Sequence, residues 1–552
     1  MIVAREAAET DGPALRKEPH MKRRDDHDGS PTPLRPLLRP CLALGILIRC
    51  ASALGAGEPA TASAPPPVHY EPFPIASFWG PPVVQAGLGR LKVRENRASN
   101  SPRWIELAFV RIPTTTNRPG PPIVWLSGGP GVSGTADLNT PALQLFLELR
   151  RLSDVIVLDQ RGTGFSVPRL DCPGSIRFPF EVAIERGRAI ESLESASRAC
   201  AQRWRAEGVD LSAYNVRESA EDIEDLRLAL GVAKLRLLAG SWGTHLALAA
   251  IRAHGNGLER AALLGVVGPD HMYGSPADVE AQLVEISRIA KRDAAVTKSF
   301  PDLLEAVRGA LERLRREPRT VDLATRDGGS LRIAVGAFEL SWYTRSLLSS
   351  QETISHLPAL LAALKAGDFR ELAVAAARWR SAPAPPASVF AARCASGASP
   401  ARLARIDRES KNAVLGETTS YAEDGVCRAF GVSPLPDSFR APVVSELPAL
   451  FVSGTLDGDT PEENAIEVSR GFPNAERLRV EGAPHALLGF EDFATRGAIV
   501  RFFEGRHLRA PRVALAPIVF ERPEAIPAGS LLTLAAGGSA LRIPPPFLPA
   551  AP

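Results

Sequence analysis

A mostly parallel α/β sheet interrupted by a helical insertion is the fold that this sequence predicts, on three observations. Short apolar runs at 123–126 and 155–158 end in glycine-bearing turns, as strands buried on both faces of a parallel sheet do. Strand and helix then alternate. Ala220, Ile223, Leu226 and Leu230 fall at helical spacing, Gly231 stops that helix, an apolar run follows at 235–238, and 242–250 is rich in Ala and Leu. From about 271 to 440 helical patterns dominate (279–291, 303–315, 354–364 and 371–379), broken by a proline-rich stretch at 382–387. Strand-like runs return only at 449–452 and 477–480, before a last helix at 493–503. The middle segment is therefore expected to be a lid inserted into the sheet domain, not an independent C-terminal domain.

Taken in order, residues 1–56 read as an N-terminal extension that contains a signal peptide. Arg35 and Arg39 precede an apolar run from Cys41 to Ile48, and small residues at 51–53 and 54–56 offer cleavage sites. The run is far shorter than the ~20 residues a membrane span needs, so no stable membrane span is expected. A lipid anchor on Cys50 is disfavoured because Arg49 stands where a small residue is required. A secreted or periplasmic location follows, with a cytoplasmic protein carrying a disordered extension as the alternative. Residues 57–74 form an Ala/Pro-rich linker. The first part of the core spans 75–270, the lid 271–440 and the second part of the core 441–510. Residues 511–552 are a tail with prolines at 544–546 and no helical period.

Composition excludes some function classes. The chain is 45% hydrophobic and 23% charged, the usual balance of a globular protein. Lys and Arg number 65 against 62 Asp and Glu, a formal charge of +3. That is no footprint for nucleic acid, which calls for a clustered basic surface. Four cysteines lie beyond the extension: Cys172, Cys200, Cys394 and Cys427. None forms a C-x-x-C pair and no histidine clusters with them, so a zinc or other metal site is not expected. An even number permits three disulfide connectivities, of which Cys172–Cys200 and Cys394–Cys427 are the most economical. The second of these would tie the end of the lid to the returning sheet strand. Four reduced cysteines in a cytoplasmic protein are the alternative.

The residues that carry chemistry sit just past the predicted strands. Ala239-Gly240-Ser241-Trp242-Gly243 lies between the strand at 235–238 and a helix. A tight turn there lifts the Ser241 hydroxyl above the sheet, and Trp242 offers a backbone N–H at the helix start. Ser127-Gly128-Gly129-Pro130-Gly131 follows the strand at 123–126, and backbone N–H groups of Gly128 and Gly129 can hold an oxyanion together with that of Trp242. In the run from Asp159 to Ser166 (DQRGTGFS), Asp159 and Arg161 are expected to pin loops beneath the site, without a catalytic role. Asp457 and His485 follow the strands at 449–452 and 477–480, in the order Ser, Asp, His. His485 is the expected base for Ser241, and Asp457 the acid that orients it, with Asp459 as the rival acid. His245 is expected to pack under the sheet, while His271 and His356 belong to the lid.

These motifs together resemble the proline iminopeptidase and tripeptidyl aminopeptidase group of α/β-hydrolases. The resemblance runs from about residue 91 to 503 outside much of the lid. It rests on Glu95-Asn96-Arg97, Gly128-Gly129-Pro130-Gly131, the run from Asp159 to Ser166, Tyr214-Asn215, the stretch from Ala220 to Arg227, the elbow at Ser241 and Asp457-x-x-Thr460-Pro461. Cys172 and Cys200 resemble a cysteine pair common in secreted members. The resemblance implies an α/β-hydrolase fold and an exported serine aminopeptidase. Such an enzyme would act through an acyl-enzyme on a peptide or small acyl substrate, without metal or organic cofactor. The departures bear on specificity: Ser127 stands where iminopeptidases usually carry His, Trp242 where relatives often have Tyr, and Gly268 where many place an acid before a proline. Asp270 is a possible substitute for that acid. An esterase or amidase on the same triad is the alternative, and a catalytically silent binding protein on this fold a third reading. Asp at the elbow, which an epoxide hydrolase or dehalogenase would need, is replaced here by Ser241.

Overall fold

The computed structural model describes residues 68–523, apart from 77–83, 173, 175, 177, 326–327, 421–422, 488–489 and 491. The export segment expected at 41–56 and most of the linker lie outside the described residues.

Twelve strands are described: β1 (Tyr70–Ile75), β2 (Val84–Arg94), β3 (Trp104–Ile112), β4 (Ile123–Leu126), β5 (Val155–Asp159), β6 (Leu235–Gly240), β7 (Leu258–Leu264), β8 (Arg319–Ala324), β9 (Ser330–Val335), β10 (Ala449–Leu456), β11 (Ala475–Pro484) and β12 (Arg512–Ala514). All but β8 and β9 join one sheet in the order β1-β2-β3-β5-β4-β6-β7-β10-β11-β12. The first three strands pair antiparallel and β3 also runs antiparallel to β5, while every pair from β5 onward is parallel. Each residue of β4 and β5 is buried. Their unbroken apolar runs have this cause, since helices cover both faces of the parallel part.

The helices that cover it are α1 (Ala142–Leu149), α2 (Arg186–Ala206), α3 (Val216–Ala229) and α4 (Trp242–His254). Sequence punctuation sets their ends: Asn215 accepts from the Glu218 N–H at 3.0 Å at the head of α3, and Gly231, at φ +65°, stands just beyond its tail. The lid follows, with α5 (Pro276–Ala290), α6 (Ala294–Ser299), α7 (Leu303–Arg316), α8 (Ala337–Leu347), α9 (Gln351–Ser355), α10 (Leu357–Lys365), α11 (Arg370–Arg380), α12 (Ala387–Ser396), α13 (Pro400–Ser410) and α14 (Glu423–Phe430). The chain returns to the sheet at β10 and continues through α15 (Glu462–Ser469) and α16 (Phe493–Phe503).

Three features differ from the sequence expectation. The lid is not purely helical, because β8 and β9 form an antiparallel hairpin inside it. Val321 and Leu323, then Leu331, Ile333 and Val335, alternate with polar or small residues, and this period of two marks a strand pair. Second, the stretch read as a linker up to 74 becomes the edge strand β1 from Tyr70. Its prolines at 72 and 74 are tolerated because only one side of an edge strand needs N–H donors. Third, the tail expected from 511 packs on the sheet and the lid over its described part, which reaches residue 523. β12 pairs with β11, the Leu515 N–H donates to the Glu481 carbonyl at 2.9 Å, and Phe520 is buried among lid residues.

The lid has an apolar core of its own, centred on residues such as Leu283, Leu311, Leu340 and Leu360. A fully buried ion pair between Arg380 and Glu339 fastens it to the segment before α2. Arg380 also donates to the carbonyls of Phe180 and Ala334, each at 2.8 Å, and Glu339 accepts from the Ile184 N–H at 2.8 Å. Such neighbours satisfy most of the groups that a buried pair otherwise leaves stranded, Arg380 Nε excepted.

Both disulfides expected from spacing are formed, Cys172–Cys200 and Cys394–Cys427. The first fastens the segment after β5 to α2. The second joins α12 to α14, so it links two lid helices and does not reach the returning strand, a correction to the expectation. Its partner helix explains why: α14 packs on α2, where Arg205 donates to the carbonyls of Phe430 and Gly431 at 2.8 Å each.

Candidate active site

The site begins with a strained turn. Between β6 and α4, Ser241 takes φ +51° and ψ −125°, one of two non-glycine residues with positive φ among those described. A side chain in that region costs of order 1–3 kcal/mol, and the surroundings hold it there. The Ser241 N–H donates to the Leu264 carbonyl at 2.8 Å, and Thr244 Oγ1 donates to the Ser241 carbonyl at 2.6 Å. Gly243 has to be glycine, because a Cβ would run into the Leu126 carbonyl oxygen. The packing demand on this side therefore falls on Gly243, and Ala239 fits buried within β6.

His485 ends β11 and brings Nε2 to 3.1 Å from Ser241 Oγ. Its Nδ1 lies 2.9 Å from Oδ2 of the buried Asp457. With the proton on Nδ1 donated to Asp457, Nε2 is left to accept from the serine hydroxyl. Asp457 is held in turn by the N–H groups of Asp459 at 3.0 Å and Thr460 at 2.8 Å, and by Thr460 Oγ1 at 2.5 Å. Burial alone would lower the pKa of His485. The charge and hydrogen bond of Asp457, with the added charge of Asp459, outweigh it and push the histidine up to about 9. Asp459 is engaged elsewhere, its Oδ1 receiving Arg345 Nη2 at 2.6 Å.

The loop after β4 runs against Ser241. A Cβ on Gly128 would stand 3.1 Å from Ser241 Cβ, and Gly129 and Gly131 adopt φ of +110° and +84°. The Trp242 N–H is the first of α4, where a helix has no preceding carbonyl to meet it. Gln160 joins these two pieces, donating from Nε2 to the Ser127 carbonyl at 3.1 Å and accepting at Oε1 from Trp242 Nε1 at 3.0 Å. Sequence reasoning assigned no role to Gln160 or Thr460, although both lie in the quoted motifs. The lid closes over this loop: a Cβ on Gly131 would collide with the Val389 side chain of α12.

The remaining candidates sit elsewhere. Asp159 accepts from Ser133 Oγ and the N–H groups of Thr135 and Phe165, at 2.7, 2.8 and 2.8 Å, and so fastens the loop that follows β4. Arg161 makes two bonds to Asp222, at 2.8 and 2.7 Å, and donates to the Glu95 carbonyl at 2.6 Å. His245 bridges the Gly268 carbonyl and Ser396 Oγ at 3.1 Å each, and burial pulls its pKa down to about 4. It is a neutral link between α4 and the lid helix α12. His271 pairs with Glu467 at 3.3 Å, and His356 lies between Glu371 and Glu521 at 2.8 and 2.7 Å. Asp270 is engaged with Ser399, the residue that caps α13, accepting from its N–H at 2.7 Å and its Oγ at 2.6 Å. Among the described residues no group of His, Cys, Asp and Glu is arranged to hold a metal ion, and no helix is long and apolar enough to cross a membrane.

Comparison with known proteins adds the following. Residues 121–334 match the family model for the alpha/beta hydrolase fold, and residues 412–512 match that of the TAP-like proteins. A putative hydrolase of Escherichia coli (strain K12), YuaR, is 30% identical over 146 residues, 26% of this chain and 27% of that protein. The chain thus matches about a quarter of the length of that relative. Among solved structures, a serine hydrolase from the bacterium Cycloclasticus zankles is 14% identical, with a TM-score of 0.33 over 76% of this chain and 99% of that one. An epoxide hydrolase from an endophytic Streptomyces is 15% identical, with a TM-score of 0.34 over 77% and 98%. An esterase from Thermogutta terrifontis is 18% identical, with a TM-score of 0.32 over 76% and 99%. With its sheet order, its strand–serine–helix turn and two matched family models, the chain has the α/β-hydrolase fold.

Proposed function

We propose that the chain is an exported serine aminopeptidase in which Ser241 is the nucleophile, His485 its base and Asp457 the acid behind the histidine. The observation that carries this reading is the unbroken chain of contacts from Ser241 Oγ through His485 to Asp457, at 3.1 and 2.9 Å. In the first half-reaction Ser241 Oγ attacks the substrate carbonyl carbon as His485 Nε2 takes its proton. The resulting oxyanion lies toward the backbone N–H groups of Trp242, Gly128 and Gly129. Collapse breaks the C–N bond, and His485 returns the proton to the leaving amine. Water then repeats the sequence on the acyl-enzyme and frees the acid.

The match of 412–512 to the TAP-like model supports a peptidase among the hydrolases of this fold. Two disulfides support export, since such bridges persist in oxidising compartments. One observation favours a second reading, an esterase or amidase of small acyl compounds. Asp270, the carboxylate that could have met a substrate ammonium, is occupied by Ser399. The test is a panel of aminoacyl, prolyl and tripeptidyl chromogenic amides beside p-nitrophenyl esters. Turnover of the amides supports the aminopeptidase; turnover of the esters alone selects the second reading.

A further inference from the structure

The C-terminal end of α8 touches both loops that carry the His–Asp half of the site. Arg345, in its last turn, pairs with Asp459 at 2.6 Å. Three residues further on, the Leu348 carbonyl shares the Gln282 Nε2 donor with the Leu456 carbonyl, at 2.7 and 2.6 Å. The Ser349 carbonyl then accepts the N–H of Ala486, the residue after His485, at 3.0 Å. Among the described residues, the charged groups that act on His485 are Asp457 and Asp459 from the loop after β10 and Arg345 from the lid. Thr460 and Ser241 are its neutral polar neighbours. The site therefore carries one more carboxylate than a triad uses, and the lid supplies the cation that offsets it.

We propose that Arg345 and Asp459 are positioning residues that couple the lid to the base: Arg345, on α8, offsets the charge of Asp459, so that the lid sets the balance of charge the base feels. The proposal rests on the reading of His485 as the base. Its physical content is a sum of charges. Together the three groups total one negative charge beside the imidazole; without Arg345 they would total two, and each uncancelled negative charge favours the protonated ring. Asp457 must stay charged for the tautomer, so the balance is left to the outer pair.

The test is the pH dependence of kcat/KM, and of Ser241 labelling by a fluorophosphonate, in the full chain. Arg345→Met should move the acid limb up by about one pH unit, and Asp459→Asn should move it down by about as much, the size expected for one charge close to a partly exposed ring. The double variant should fall between them, and Arg345→Lys should restore the wild-type limb. A limb fixed in all four variants while Arg345→Met loses rate equally at every pH would overturn the coupling and leave the pair a structural fastening. If Ser241→Ala still turned over substrate, the reading of the site would fall first. An inert Ser241→Ala beside an unmoved limb would remove this inference alone.

Discussion

Ser241→Ala should abolish turnover and fluorophosphonate labelling while the thermal midpoint stays near that of the wild type. The substitution removes one oxygen and leaves the strained turn, still held by Leu264 and Thr244, in place. Loss of a triad member costs ~10⁴-fold or more in rate, so residual turnover near the wild-type level would refute the assignment. Asp457→Asn should be of the same order, because it reverses the hydrogen bond that sets the tautomer of His485. Asp459→Asn should be far milder, since Asp459 makes no bond to the ring. The pH profile has a definite sign. Only neutral imidazole can accept the serine proton, and His485 is pushed above its ordinary 6.5, so activity should climb with pH through the neutral range and its acid limb should lie above 6.5. A limb below that value would contradict the electrostatics described. At this scale the sequence was informative where a group sits in a turn at the carboxyl end of a strand, as Ser241, Asp457 and His485 do. Thr460 and Gln160 were not assigned roles because their work depends on tertiary approach. Gln160 serves Ser127 and Trp242, which stand 33 and 82 positions away.

Elements were legible in proportion to their dependence on their own residues. α3, α4 and the buried strands β4 to β6 carry period, caps and stops in sequence. β12 does not: it is three residues long, and pairing with β11 makes it a strand. The hairpin β8–β9 did alternate, but the helical neighbourhood on either side masked it. The same tail yields a prediction, because Phe520 is buried in the lid core and Glu521 reaches His356 at 2.7 Å. Phe520→Ala should destabilise the chain by about 3 kcal/mol, the lower end for a buried phenylalanine, with hydrogen exchange rising first in α9 and α10. A variant with unchanged exchange there would show that the tail is not part of the lid. The bridge Cys394–Cys427 closes a separation of 33 residues. Replacing both cysteines by serine should lower stability by about 3–4 kcal/mol on the chain-entropy account. The thermal midpoint, measured with and without reductant, checks this, and the variant should show no further response to reductant.

For the whole molecule the question is what the lid selects. It rests on the loop after β4 through Val389, on the loop after β10 through Gln282 and on the loop after β11 through Ser349, which is where an insertion on this fold is expected to carry specificity. An aminopeptidase must also pair the substrate ammonium with a carboxylate, because a charge buried without a partner is costly. With Asp270 committed to Ser399 and Asp459 to Arg345, that role falls to another acid of the lid or its rim. Acetylating the N-terminus of a cleaved peptide removes the ammonium and leaves such a carboxylate facing an amide. Catalytic efficiency should then drop by roughly the 2–5 kcal/mol that follows when one partner of a buried charge pair is taken away, most of it through KM if the ammonium serves binding alone. The comparison of free and acetylated tripeptidyl amides measures this directly. Equal cleavage of the two would reject a requirement for the free amine, and with it the aminopeptidase, while the same Ser241 chemistry would continue on acyl groups that carry no charge.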